Sequence, residues 1–416
     1  MPYYLSGRLS QHLLWLASLA GVVGLLGSRA LVALAPVVGV LAALANPHLR
    51  RDVPQYFRSG AAMRAAALVA FLLLSGGYTS EWATWRHELF RSLPWLGVPL
   101  AFTLAVPLTA RQRLVVGSLF VLGTAAVGLA TLGQYLLDPG QANEAIRIGQ
   151  NMQSITHVFH IYFGLMLALS VFWALGLRQN ALAGPWLRLL LLGGALAAAL
   201  TLHMLAYRTG LLALYAGLLA TVGWLLFQKR VLLTLGLLAL MGLGPWLAYH
   251  TLESVRQRTA STVWDVQQYT LGHNINDYSL ARRLAAAETA GTIIRQHWLL
   301  GVGPADAHAA MREQYAWQDF GLRPTNQADV HNQYLVALLG GGLVGLALWL
   351  AVLFWPLARY RRHQNHGAAL FIVIQAVVML VTDITSLQIG LNLFVFGYGF
   401  LVVAPERARQ PVAGPI

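Results

Sequence analysis

QYLVALLGGGLVGLALWLAVLFWPL, residues 333–357, carries no charged side chain over 25 positions. As an α-helix rising about 1.5 Å per residue it would be roughly 37 Å long, enough to cross a bilayer core of about 30 Å. In water it would leave apolar side chains uncovered on every face, so lipid is the solvent it fits.

The same reading extends outward. Apolar length and polar punctuation place spans near residues 11–27, 30–45, 62–78, 90–107, 114–134 and 154–176, then 186–206, 209–227 and 231–250. After 333–357 two more fall near 367–386 and 388–404. Composition agrees: 57% of the chain is hydrophobic and 10% charged, and the mean hydropathy is +0.59. Continuous runs of Leu, Ala, Val and Gly argue against a barrel, whose strands alternate over short segments. The first span lacks a small-residue cleavage site and is expected to be a retained helix rather than a signal peptide. The expected fold class is therefore all-α: a polytopic membrane protein with about twelve transmembrane helices and one large, partly helical outer loop.

Charge sets the expected sidedness. Arg50, Arg51, Arg58, Arg111, Arg113, Arg178, Lys229, Arg230, Arg359, Arg361 and Arg362, with Arg8, Arg407 and Arg409 at the termini, fall on one face. The positive-inside rule makes that face cytoplasmic. The net charge of +13 is then topological, and nucleic acid is not an expected partner. By parity the long hydrophilic stretch lies outside. It is expected to hold an amphipathic helix over 277–297, a turn at Gly301 to Pro304 and a second helix over 306–317, with the rest irregular. The chain thus divides into 1–249 (spans one to nine), 250–332 (the loop) and 333–416 (the last three spans and a cytoplasmic tail).

Chemistry is sought on the outer face. With no cysteine, the chain has no disulfide, thiolate nucleophile or cysteine-ligated metal. No Asp-x-Asp pair occurs, and the loop between spans three and four offers only Glu81 and Glu88, so neither metal nor cofactor is expected. Three features remain. Tyr207-Arg208-Thr209-Gly210 puts an arginine in a very short link between apolar spans, where its planar fork suits phosphate or carboxylate oxygens; an arginine snorkelling to the interface is the bland alternative. Leu280-Ala281-Arg282-Arg283 opens the amphipathic helix with two arginines on different faces; the alternative is a basic helix resting on anionic headgroups. His331-Asn332-Gln333-Tyr334-Leu335 stands where the loop re-enters the membrane. Its imidazole is the expected general base, with Asp329 or a backbone carbonyl on the other ring nitrogen; the alternative is a histidine that only anchors the helix. His250, His273, His297 and His308 are read as surface or structural, and Trp82, Trp85, Trp264 and Trp317 as interfacial. Asp383 falls inside the eleventh span, as a buried hydrogen-bonded group or a structural partner.

The order of these pieces resembles the O-antigen ligase family: Arg-Thr-Gly at 208–210, an arginine and helix running into Leu-Leu-Gly-Val-Gly-Pro at 299–304, then His-Asn-x-Tyr-Leu at 331–335 and a glycine-rich helix. Counted back from Gly301-Val302-Gly303, Arg283 falls on the family arginine, one position from Arg282, while Trp298 stands where proline is usual. The resemblance implies a bacterial inner-membrane glycosyltransferase of lipopolysaccharide assembly, with its active site facing the periplasm. Its donor would be an undecaprenyl-diphosphate-linked glycan and its acceptor lipid A–core. Arg208 and Arg283, with Arg282 as neighbour, would hold the diphosphate, and His331 would activate the acceptor hydroxyl in one inverting, metal-independent displacement. An O-antigen polymerase using the same donor is the near alternative, and a lipid-linked glycan flippase is the alternative of another class.

Overall fold

The computed structural model of the chain describes residues 2–147, 152–358 and 365–408, so the expected basic positions Arg359, Arg361, Arg362 and Arg409 lie outside the described residues. Among the described residues the regular elements are all helical, as backbone that must satisfy its own hydrogen bonds in lipid requires. The first are α1 (Pro2–Leu5), α2 (Arg8–Gly27), α3 (Arg29–Leu44), α4 (Leu49–Arg58), α5 (Gly60–Ser75), α6 (Trp82–Ser92), α7 (Pro94–Leu104) and α8 (Ala110–Leu137). Then come α9 (Pro139–Arg147), α10 (His160–Arg178), α11 (Pro185–Met204), α12 (Arg208–Phe227) and α13 (Val231–Thr251). The long loop holds α14 (Glu253–Thr270), α15 (Ser279–Gln296) and α16 (Ala307–Trp317). The chain closes with α17 (Gln333–Ala358), α18 (His366–Val378), α19 (Gln388–Tyr398), a π-helical turn at Gly399–Val403 and α20 (Ala404–Arg407).

Each expected span contains a helix, but these helices differ as membrane crossings. Among the described residues eight are long and apolar enough: α2, α8, α10, α11, α12, α13, α17 and the run Gln388–Arg407. The pair α4 and α5, bent by 76°, makes a ninth if counted as one crossing. α3 and α18 are apolar but only 16 and 13 residues long, and α7 has 11. Pro94 starts α7 afresh and splits the span expected over 90–107. α18 stops at Val378, so the span expected to reach residue 386 is shorter, and Asp383 lies in the connection 379–387. The twelve expected spans thus resolve into eight or nine helices of crossing length with shorter apolar helices packed among them.

α10 is the axis. It buries residues 161–172 without interruption and packs against α8, α11 and α12, the place for a helix that is apolar all round. α13 is the opposite case: Leu232 is 86% exposed and Leu243 64%, an outer surface suited to lipid.

The long loop corrects one expectation. α15 and α16 match the helices expected over 277–297 and 306–317, but residues 253–270, expected to be irregular, form the 18-residue α14. Its buried stripe is Ser254, Arg258, Asp265 and Gln268, while Val263, Trp264, Val266 and Leu271 are exposed. This helix is amphipathic with its polar side inward.

Two glycine motifs lock the loop to the membrane helices. α17 is broken at Gly342, whose φ of 58° and ψ of −154° suit only a residue without a Cβ. The turn after α15 takes up the groups this break frees. Val302 N–H donates to Leu339 O (2.9 Å), Gly303 N–H to Gly340 O (3.0 Å), and Leu343 N–H to Trp298 O (2.8 Å). A Cβ on Gly342 would lie 2.3 Å from the Leu299 carbonyl, and one on Gly301, itself at φ +70°, 2.6 Å from Gly341 N. Asp306, just before α16, ties in the α5–α6 loop by accepting the Thr79 hydroxyl (2.5 Å), Ser80 N–H (2.8 Å) and the Ser80 hydroxyl (2.6 Å).

Candidate active site

The sequence His331-Asn332-Gln333-Tyr334 reads in the structure as a set of clamps. Asn332 Oδ1 accepts the N–H groups of Tyr334 (2.9 Å) and Leu335 (3.1 Å), capping the orphan donors of α17, and its Nδ2 donates to Leu380 O (3.0 Å). Buried Gln333 accepts Thr385 N–H (3.1 Å) and the Thr385 hydroxyl (3.0 Å) through Oε1, and its own N–H donates to Met379 O (2.9 Å). The Tyr334 hydroxyl donates to Ala376 O (2.8 Å). Arg91 of α6 donates to Ser386 O. The start of α17 is thereby fastened to the end of α18 and to the connection bearing Asp383.

His331 Nδ1 lies 2.7 Å from the Asp329 carbonyl. A carbonyl oxygen only accepts, so Nδ1 carries the proton and Nε2 the lone pair. Of the two expected holders the backbone carbonyl is the one found, while the Asp329 carboxylate pairs with exposed His308 at 2.7 Å. Burial, then the charge of Arg283, lowers the His331 pKa below its usual 6.5, with Asp383 opposing. The imidazole is thus kept neutral, the form a base needs. Asp383 is pushed up by burial, with His331 acting against that shift.

The two arginines of the loop helix part company. Arg283 Nη1 donates to Val381 O (3.1 Å), on the same connection as Asp383, whereas Arg282 Nη1 donates to Asn326 Oδ1 (3.0 Å). Arg283 thus lies on the side of the connection that bears Asp383, and Arg282 on the side of the segment before His331. Burial, then the charge of Arg208, lowers the pKa of Arg283, with Asp383 opposing. Arg208 opens α12 and donates to Thr262 Oγ1 of α14 (2.9 Å). Arg208, Arg283, His331 and Asp383 therefore form one electrostatically linked group, built from α12, α15, the start of α17 and the connection 379–387.

Two further members have no counterpart in the sequence reading. His160 opens α10 within electrostatic reach of Arg258, Arg283 and Arg208. Arg258, on the inner stripe of α14, is 3% exposed. The signal for Arg258 was the polar repeat Ser254, Arg258, Thr262, Asp265 at helical spacing; for His160, its place at the head of an apolar span. Among the described residues no group of three or more His, Asp or Glu is arranged to hold a metal ion.

Such a group can bind a dianion and accept a proton beside it. No curated protein matches the chain. Residues 193–350, from α11 through most of α17, match the family profile described as O-antigen ligase, a region that takes in Arg208, Arg258, Arg283 and His331. Over that region the chain is similar to the O-antigen ligase family, and its apolar helices are those of a multi-pass membrane protein.

Proposed function

We propose that the chain is an O-antigen ligase that moves a glycan from an undecaprenyl-diphosphate carrier to lipid A–core in the periplasmic leaflet of the bacterial inner membrane. The observation that carries this reading is the electrostatic linkage of Arg208, Arg283 and neutral His331, with Arg283 bonded to the connection that bears Asp383. The reading includes the layout: residues 1–249 and 333–416 hold the membrane helices, 250–332 lie in the periplasm, and the basic connections and tail face the cytoplasm.

The chemistry follows from the groups present. The acceptor hydroxyl attacks the anomeric carbon and His331 Nε2 takes its proton. The bond from that carbon to the diphosphate oxygen breaks, and the electron pair leaves with the phosphate. Arg208 and Arg283 hold the diphosphate by charge-assisted hydrogen bonds that strengthen as its charge grows. Arg282, turned toward Asn326, acts at most from the rim. A single displacement inverts the anomeric configuration, and fixed guanidinium charge takes the place a metal ion fills elsewhere, so transfer persists in chelator.

Purified protein in nanodiscs with lipid-linked donor and lipid A–core should yield glycan on core and free undecaprenyl diphosphate. Full transfer by His331→Ala would overturn the base assignment. A strain deleted for a ligase keeps long glycans on the carrier and none on core; short glycans on core would instead indicate a polymerase, and relocated lipid with no new glycosidic bond a flippase.

A further inference from the structure

We infer that Arg258 is a third cation of the diphosphate site and contacts the donor phosphates from the inner face of α14. The inference rests on the diphosphate reading above and adds to it a residue from an element that the sequence left unstructured.

The geometry starts with the α14 stripe. The Ser254 hydroxyl donates to Met204 O (2.7 Å), pinning the helix to the end of α11. The Thr262 hydroxyl donates to Arg258 O (2.7 Å) and accepts from Arg208 Nη1 (2.9 Å), so Arg208 lies against the turn that carries Arg258. Asp265, less than one turn further, accepts Leu280 N–H (2.8 Å) at the start of α15, the helix of Arg283. One polar face thus links the segments bearing all three guanidinium groups.

These groups also act on one common neighbour. The His160 ring is in electrostatic reach of Arg258, Arg283 and Arg208 alike. His160 and Arg208 head α10 and α12, helices of 19 and 20 residues whose N-termini add the positive end of a macrodipole. Burial, then the charge of Arg208, pushes the Arg258 guanidinium down to about 10, with Asp265 opposing. Arg208 bears electrostatically on both Arg258 and Arg283, so half-buried and buried guanidinium groups stand as like-charged neighbours, with Asp265 and Asp383 acting against that repulsion. Like charges held together out of water are costly, and a bound dianion relieves that cost.

A third cation has a particular use in this reaction. When the glycosyl–oxygen bond breaks, the proton of the acceptor hydroxyl goes to His331 and the diphosphate gains one unit of negative charge. A guanidinium fixed beside that oxygen gains most in the transition state, so its loss should lower kcat more than it raises KM.

The test uses the full chain in nanodiscs with inorganic diphosphate as probe, read by calorimetry and by thermal stabilisation. Arg258→Gln is expected to weaken diphosphate binding about 10-fold or more, the scale of one charge-assisted hydrogen bond, with Arg258→Lys in between. Arg208→Gln and Arg283→Gln test the diphosphate reading itself. If those two weaken binding and Arg258→Gln does not, Arg258 lies outside the site while the reading stands. If none of the three changes binding, the reading fails and takes the inference with it. A purely structural ion pair is checked by Arg258→Met combined with Asp265→Asn, which removes both charges and keeps an acceptor for Leu280 N–H. Recovery of wild-type binding in that double variant would overturn the proposal; a stable fold with weak binding supports it. Should Arg258→Gln fail to fold, the lysine and double variants separate the same outcomes.

Discussion

Gly342→Ala is expected to open the junction between the loop and α17 while leaving the helix bundle folded. At φ 58° and ψ −154° an alanine is strained by about 1–3 kcal/mol. Its Cβ would also sit 2.3 Å from Leu299 C and O and 2.5 Å from Leu300 N, all backbone atoms that cannot rotate aside. Relief requires the 298–303 turn to withdraw, which breaks the bonds from Val302 to Leu339, Gly303 to Gly340 and Leu343 to Trp298. At about 1 kcal/mol net per bond, those bonds set a ceiling of roughly 3 kcal/mol for release of the turn. Strain and release are alternative ways out, so the expected loss is about 1–3 kcal/mol, less than a whole domain's stability. Hydrogen–deuterium exchange in nanodiscs reads this directly: amides of 302–303 and 343 should lose protection while those of α10 keep theirs. Gly236→Ala, where a Cβ meets nothing within 4 Å, is the control. Unchanged protection in Gly342→Ala would rule out this picture of the junction, because no alanine can occupy that backbone beside an unmoved Leu299.

Because burial and Arg283 hold His331 below its usual 6.5, the transfer rate should stay level from about pH 8 down to about pH 6.5 and fall only at lower pH. Asp383→Asn removes a carboxylate that raises the His331 pKa, so initial rates should show the acid limb moving lower still; a limb above 6.5 in the wild type would contradict this. Arg283→Ala should cut transfer by about 10²-fold or more, on the order seen when one charge-stabilising donor is removed, and Arg282→Ala, which loses the bond to Asn326, by only a few-fold; equal losses in steady-state rates would disprove the division between them. Asp306→Ala should cost about 2 kcal/mol in thermal or denaturant unfolding, by orphaning the Thr79 and Ser80 donors. Burial works against the Asp306 carboxylate, but the Ser80 and Thr79 hydrogen bonds outweigh it and hold its pKa below 3.8. Its stabilisation is therefore present above that value and lost as pH falls through the lower folded one, and acid unfolding of the wild type should show a component that Asp306→Asn lacks.

The apolar runs were legible because lipid leaves the backbone only one arrangement over such lengths, and α2, α8 and α10 to α13 form near where hydropathy placed them. Hydropathy could not show interruptions. Pro94 restarts a helix inside an apolar stretch, and the polar segment Thr382 to Ser386 leaves the helix to serve Gln333, a tertiary bond with no local signature. α14 was missed for a different reason. Its pattern was helical, but a soluble-protein reading puts Val263 and Trp264 inside and Arg258 outside, whereas here the polar groups face inward and the apolar ones the surroundings. Arg208, Arg283 and His331 were legible because each sits in a short motif; Arg258, His160 and the placement of Asp383 depend on packing between distant segments.

The glycine junction makes a closed ring of the chain between residues 303 and 340, fastened at both ends by backbone bonds that involve no side chain. His331 lies inside that ring, yet the start of α17 and the connection 379–387 fix its neighbours rather than the residues between α16 and Ala328. Substitutions in that stretch that spare Asn326, the partner of Arg282, and the Gly321 and Arg323 backbone bonded to Asn276 can therefore leave the imidazole where it stands relative to Arg283. The arrangement separates the surface of the loop, where side chains answer only to their surroundings, from the bonded frame that sets where His331 stands.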